Sequence, residues 1–320
     1  MGELVVSLSY MSGRHSHGYV PLLLTLAAIW GASYLFIKVG VRDFAPTTLM
    51  SLRMLIAGVA LFGFLCLREG GARTAAVDVR GASRPGLVLG IINGAIPFTL
   101  IAWGETHIDS GVAAIANSTV PIFIALLAIR FRPSERAGGL QLAGIVLGLV
   151  GVGVLVGVNP ENGVWAALGT LAVVVASLSY AFAGLYGQLR VHETSGPVLA
   201  TANTLIGGLL LLPFALVQWP EQTPGWKSIA SLLALALVGT SFAQLILFRM
   251  LRLHGPARTS LVTYLMPGFA LFYGALLLGE SITISALAGL VLILAGVALG
   301  SGLARPLRRG EEAVGQAPAP

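Results

Sequence analysis

Trp30, Tyr34 and Lys38 recur every fourth residue on an otherwise apolar stretch. On a helix of 3.6 residues per turn they stay within about 80° of one another and form one stripe. A stripe of this kind faces a bundle interior rather than lipid. It offers aromatic faces to an organic solute and a cation to its anionic group. The other account of the stripe is packing by Trp30, with Lys38 snorkelling to the outer interface. The second half of the chain repeats the spacing with Tyr180, Gly184 and Gln188. Arg53 lies well inside the next apolar run, roughly 10 Å below its outer end. A charge at that depth must be paired or hydrated. Its partner is either a substrate carboxylate or phosphate, or a structural tie to outer-end carbonyls or to Asp43.

Asn93-Gly94-Ala95-Ile96-Pro97 joins a polar amide to two helix weakeners, and Thr240-Ser241-Phe242-Ala243-Gln244 occupies the corresponding place in the second half. Asn117-Ser118-Thr119 precedes Pro121, as Thr263-Tyr264 precedes Pro267. Proline removes a backbone hydrogen bond, and inside a membrane the freed carbonyl must be re-satisfied or line a cavity. Paired breaks of this sort point to a binding site, with Asn93, Asn117, Gln244 and Tyr264 as polar contacts. Ordinary kinks held by interhelical hydrogen bonds are the competing account. Gly144, Gly148 and Gly151, with Gly289 and Gly296, make small-residue faces for close helix packing. Glu135 and Glu280 each stand just before an apolar helix start, where a carboxylate caps free N–H groups.

The elements that must position these residues follow from composition. Of 320 residues 56% are hydrophobic and 10% charged, and the mean hydropathy is +0.88. An ordinary globular domain is about 25% charged, which excludes a soluble enzyme, a nucleic-acid-binding domain and a disordered chain. Apolar runs of about 20 residues fall near 19–40, 46–67, 86–105, 111–130, 138–158, 164–186, 197–218, 228–248, 258–279 and 283–302. The expectation is an all-α membrane protein of ten transmembrane helices, with tails at 1–18 and 303–320, the latter disordered. With the N-terminus placed in the cytoplasm, most of the 19 Lys and Arg residues gather in cytoplasmic segments, and the outer loops keep only Arg42 and Lys227. Both termini are therefore expected to be cytoplasmic. The basic excess is a topology signal and implies no nucleic-acid partner.

What is missing also constrains the chemistry. All 13 acidic residues fall in tails, loops or helix ends, and Glu105 alone comes near a mid-membrane proton relay. There is no Walker loop, no H-E-x-x-H site and no pair of intramembrane aspartates. The single cysteine, Cys66, excludes an internal disulfide and a cysteine-built metal site. No catalytic residue, metal or cofactor is expected.

The two halves resemble each other. Pro121, Glu135, Gly144 and Gly151 align with Pro267, Glu280, Gly289 and Gly296, allowing a one-residue gap. Each half, 19–158 and 159–302, carries five spans, so the second enters from the opposite side. An inverted-topology repeat is the physical basis of many secondary transporters. The stretch AAIWGASYLFIKVGVRDFAPTTLMSLRMLIAG, through Trp30-Gly31, Pro46 and Arg53, resembles the first two helices of EamA-type transporters of the drug/metabolite transporter superfamily. The Pro267…Gly279-Glu280…Gly289…Gly296 pattern repeats the likeness. The resemblance implies ten helices in two five-helix repeats and export of small metabolites or drugs across the plasma membrane. Tyr180 and Thr204 depart from the pattern, standing where the second copy would carry Trp and Arg. The expected substrate-binding set is Trp30, Tyr34, Lys38, Arg53, Asn93, Asn117, Tyr180, Gln244 and Tyr264. The partners are a small-molecule substrate and the lipid bilayer, for a monomer or homodimer. An anion exchanger for phosphorylated or nucleotide-linked solutes, and an intramembrane enzyme on a lipid-linked substrate, remain as alternatives.

Overall fold

The computed structural model describes residues 2–131, 139–157, 163–191 and 194–300. Glu135 and the expected disorder of the C-terminal tail lie outside these residues. The described chain is helical, without a strand. In order the helices are α1 (Gly2–Gly40), α2 (Pro46–Arg68), α3 (Ala72–Gly81), α4 (Ser83–Gly104), α5 (Ser110–Leu127), α6 (Gly139–Gly157), α7 (Gly163–Arg190), α8 (Gly196–Val217), α9 (Trp226–Pro256), α10 (Val262–Leu278) and α11 (Ile284–Gly300). Seven described helices are long and apolar enough to cross a membrane, with α1 counted from Gly18, and α6, α10 and α11 contain shorter apolar stretches. Large apolar side chains such as Val59, Val146, Phe214, Phe272 and Val291 are exposed on the outside, a surface that needs lipid rather than water. The chain is an all-α, multi-pass integral membrane protein.

Local sequence explains the helix ends. Pro46 and Pro197 sit in the first helical positions, where no intrahelical N–H bond is lost. Gly279 closes α10 in the left-handed region at φ 70°, a conformation that favours glycine. The run expected at 228–248 extends to Pro256, so Arg249 and Arg252 belong to α9 and not to a loop. Both are exposed, and long cations can prolong a helix into the headgroup layer. Gly255, at φ 76°, breaks it.

Packing joins the halves through pairs that match under their exchange. α2 lies on α8 and α6 on α11, each pairing equivalent elements. The contact of α1 with α10 is matched by α7 with α5, and that of α2 with α9 by α8 with α4. At α2–α8 the fit is reciprocal. A Cβ on Gly58 would stand 3.1 Å from the Leu205 backbone nitrogen, and one on Gly208 3.0 Å from that of Leu55. Ser51 Oγ donates to the Gly208 carbonyl at 2.9 Å, and Thr48 Oγ1 reaches the carbonyls of Ala215 and Gln218. In lipid, association rests on such close contact and on interhelical hydrogen bonds.

The glycine faces of α6 and α11 meet each other. A Cβ on Gly296 would lie 2.5 Å from the Gly148 nitrogen and 2.6 Å from the Gly144 oxygen, both backbone atoms that cannot rotate away. Gly296→Ala is therefore expected to lower the thermal midpoint of the detergent-solubilised protein, an overpacking cost of about 1–3 kcal/mol. Gly153→Ala, on α6 with nothing within 4 Å, is the control. It should leave the midpoint unchanged or raise it slightly, because alanine is the better helix former.

Candidate functional site

Helix irregularities open the site. Gly90–Ala95, which contains Asn93, is π-helical and runs directly into Ile96-Pro97. The proline offers no N–H to the carbonyl four residues back, which favours the wider turn. The matching stretch of α9, Ala234–Phe242, is π-helical too. In α5 the helix is interrupted by a turn at Ser118-Thr119, immediately before Val120-Pro121. In α10 Pro267 lies within regular helix, and the irregularity comes later, at Gly274–Leu278. The paired breaks are thus present in α4 and α9 but are not equivalent in α5 and α10.

Four of the expected residues meet where α1, α2, α5 and α7 converge. Asn117, at the α5 break, donates through Nδ2 to the Tyr34 hydroxyl at 2.8 Å and accepts from Ser177 Oγ of α7 at 3.1 Å. Tyr180 lies three residues further along α7, and its hydroxyl and that of Tyr34 are within electrostatic reach of the Arg53 guanidinium. Arg53 is 6% exposed. Its Nε donates to Thr240 Oγ1 of α9 at 2.9 Å, and its guanidinium carbon stands 4.2 Å over the Phe98 ring. Among the described residues no carboxylate pairs with it, and the one ion pair is Arg68–Glu69. Nη1 contributes only a 3.8 Å approach to the Met50 sulfur, so terminal N–H groups remain for an anion. The suggested Asp43 partner is engaged elsewhere: its carboxylate accepts from the Gly225 backbone N–H at 2.8 Å. The nearby Ser228 hydroxyl, and after it the Gly225 N–H, hold the Asp43 carboxyl below the usual carboxylate range.

Trp30, Tyr180 and Tyr264 are partly buried and pack against the same apolar cluster as Tyr34. Trp30 also bridges to a second cluster built by α1, α9 and α10. Asn93 and Gln244 are half-buried on α4 and α9, two of the helices that carry π-helical turns, and show no side-chain hydrogen bond among the described residues. Lys38 stands apart from this group. Its ammonium donates to the carbonyls of Glu105 and Ile108, at 2.8 and 2.7 Å, and so binds α1 to the α4–α5 connection.

Glu280 behaves differently from the expected cap of its own helix. Its carboxylate accepts from Ser110 N at 3.0 Å, Ser110 Oγ at 2.7 Å and Gly111 N at 3.4 Å, at the start of α5. Gly279 turns the chain so that Glu280 faces α5 rather than α11. Asp109, in the capping position of α5, makes no capping bond. Burial and the neighbouring Glu280 carboxylate push the Asp109 carboxyl up from its ordinary value. Sequence reasoning missed Ser177, Phe98 and the cross-half reach of Glu280. Ser177 carried one signal, its place three residues before Tyr180 on one helical face.

The fold is a helical bundle with an apolar, lipid-facing surface and a buried cation where its halves meet, and comparison with known proteins gives its class, that of membrane transporters. The model of the EamA-like transporter family matches residues 18–157 and again 167–302. The chain belongs to the EamA-like transporter family. It is 26% identical over 86% of its length to an uncharacterized transporter, YoaV, of Bacillus subtilis, covering 94% of that protein. It is 29% identical over 82% of its length to the uncharacterized inner membrane transporter YedA of Escherichia coli, covering 83% of it. A "Probable amino-acid metabolite efflux pump" of Salmonella typhimurium is 28% identical over 88% of this chain and 93% of its own length. A solved crystal structure superposes with a TM-score of 0.63 at 18% identity, covering 90% of this chain and 98% of the other; it supports the fold alone.

Proposed function

We propose that this protein is a secondary transporter exporting a small, carboxylate-bearing organic metabolite of the amino-acid type by alternating access. The observation that carries the reading is Arg53, a buried cation with no carboxylate at ion-pair distance among the described residues, bonded to Thr240 and set over Phe98, with Tyr34, Tyr180 and Glu105 in its electrostatic surroundings. A substrate carboxylate supplies the missing charge. Asn117, Asn93 and Gln244 supply hydrogen bonds, and Trp30, Tyr34, Tyr180 and Tyr264 an aromatic wall. Ten spans in two inverted five-helix repeats, with both termini cytoplasmic, let the bundles rock about this site and open alternately to each side. The efflux activity in the name of the Salmonella relative supports the direction, and contacts that match under exchange of the halves support the repeat. The bilayer of the plasma membrane is the setting.

The test is a metabolite profile of intracellular and extracellular pools in cells with and without the protein, with Trp30→Ala and Asn117→Ala as comparisons. One compound class should fall inside and rise outside only with the wild type. Asn117→Ala leaves the Tyr34 hydroxyl without its donor and Ser177 without one acceptor. An orphaned buried polar group costs about 1–3 kcal/mol, so export should fall roughly tenfold or more at matched expression. Pools that do not differ between cells with and without the protein would refute export.

A further inference from the structure

Glu105 directly follows the last residue of α4, and its side chain is 0% exposed. Neither carboxylate oxygen has a hydrogen-bond donor. A carboxylate taken out of water without a partner carries a desolvation penalty far larger than that of the neutral acid, so this environment holds the carboxyl protonated. The charged and titratable groups facing it are Tyr34 and Lys38 from α1, Arg53 from α2 and Glu280 from the segment after α10. His107 and Asp109 belong to its own connection. His107 is turned to the Trp103 carbonyl and stacks with the rings of Trp103 and Trp165. Glu280 is an acid and opposes ionisation of Glu105. The favourable cations are Lys38 and Arg53, but Arg53 is bonded to Thr240 and lies over Phe98, and the Lys38 ammonium donates to two backbone carbonyls, one of them that of Glu105 itself. The carboxyl of Glu105 and the two carbonyls of the α4–α5 connection therefore compete for one ammonium.

We propose that Glu105 is a proton-binding site that couples proton movement to transport. In the conformation described here the proton sits on the carboxyl while Lys38 holds the carbonyls of Glu105 and Ile108. When the halves rearrange and those carbonyl bonds break, Lys38 pairs with the carboxylate and the proton leaves to water on the side then open. Acid favours the first conformation and alkali the second. This inference rests on the exporter reading for its cargo, but the proton site itself does not.

The experiment uses the full-length purified protein in lipid and has two readouts. Infrared spectra recorded across a pH series compare wild type with Glu105→Gln, which imitates the protonated acid and should keep the thermal midpoint. Wild type should show a protonated-carboxyl stretch at neutral pH that Glu105→Gln lacks. Coincident spectra would overturn the proton site. In sealed vesicles loaded with a low-molecular-weight extract of the expressing cells, an imposed pH gradient should accelerate solute release by wild type, and Glu105→Gln should lose that response. Release by wild type that ignores the gradient would overturn the coupling. If wild type releases no solute at all, the exporter reading and the coupling fall together, and the infrared difference still decides the proton site.

Discussion

Arg53→Met is expected to abolish export, a loss of about tenfold at the least, while leaving the protein folded and in the membrane. The loss follows from charge. If a substrate carboxylate is held by the guanidinium in a site closed to water, removing the cation strands the anion, at a cost of about 2–5 kcal/mol. The retained stability follows from what Arg53 lacks in the free protein. It has one strong hydrogen bond, to Thr240, one ring contact, to Phe98, and no carboxylate at ion-pair distance among the described residues. A desolvated cation so poorly compensated contributes little to folding, and an apolar side chain of similar size is tolerated at such positions. No orphan is created either, because the Thr240 hydroxyl also donates to the Leu235 carbonyl at 2.9 Å. The thermal midpoint of Arg53→Met should equal or exceed that of wild type. A midpoint that collapses together with export would mean that Arg53 is a structural tie. Arg53→Lys keeps the charge but loses the planar fork, and should restore only part of the activity.

Glu280→Ala has the opposite signature. It removes the acceptor for three donors at the start of α5, the backbone N–H groups of Ser110 and Gly111 and the Ser110 hydroxyl. Asp109 makes no capping bond that could compensate. Hydrogen bonds to a charged group are worth about 1.5–3 kcal/mol each in favourable cases, and loss of an N-cap typically about 1 kcal/mol. The expected outcome is a clear fall in thermal midpoint, with export reduced in proportion to the folded protein in the membrane. Glu280→Gln keeps one oxygen acceptor and should fall between the two. Asn117, which holds Tyr34, ends the short helix Ser110–Asn117 that begins at this cap. Residual Glu280→Ala protein should therefore also show weakened substrate selectivity in the same pool measurements.

These two residues show why part of the molecule could be read from the sequence and part could not. Arg53 stood out because a cation deep in an apolar run is costly wherever the chain folds, so its burial followed from composition and position. Its partners did not: Thr240 and Phe98 come from α9 and α4, and ordinary polar or aromatic residues carry no mark of which helix they will face. The Trp30, Tyr34, Lys38 stripe was legible as helical periodicity, yet its members separate in space. Tyr34 enters the hydrogen-bonded group, Trp30 spans two apolar clusters, and Lys38 reaches the α4–α5 connection. A four-residue spacing fixes a face but not the depth at which a long side chain ends. The helix weakeners before Pro97 became a π-helical turn, as local backbone chemistry favours. Pro267, read the same way, lies within regular helix, because neighbouring packing can absorb a missing bond. The glycine faces of α6 and α11 were visible as small-residue spacing, although their pairing with each other depends on the third dimension.

The most direct test of the central claim, solute movement through a site built on Arg53, is release from sealed vesicles containing the purified protein. Vesicles are loaded with the low-molecular-weight extract of expressing cells, and the solutes that leave are identified by mass spectrometry beside vesicles carrying Arg53→Met at equal density. At least one carboxylate-bearing metabolite should leave the wild-type vesicles and be retained by the Arg53→Met vesicles. Identical release profiles from the two preparations would contradict it.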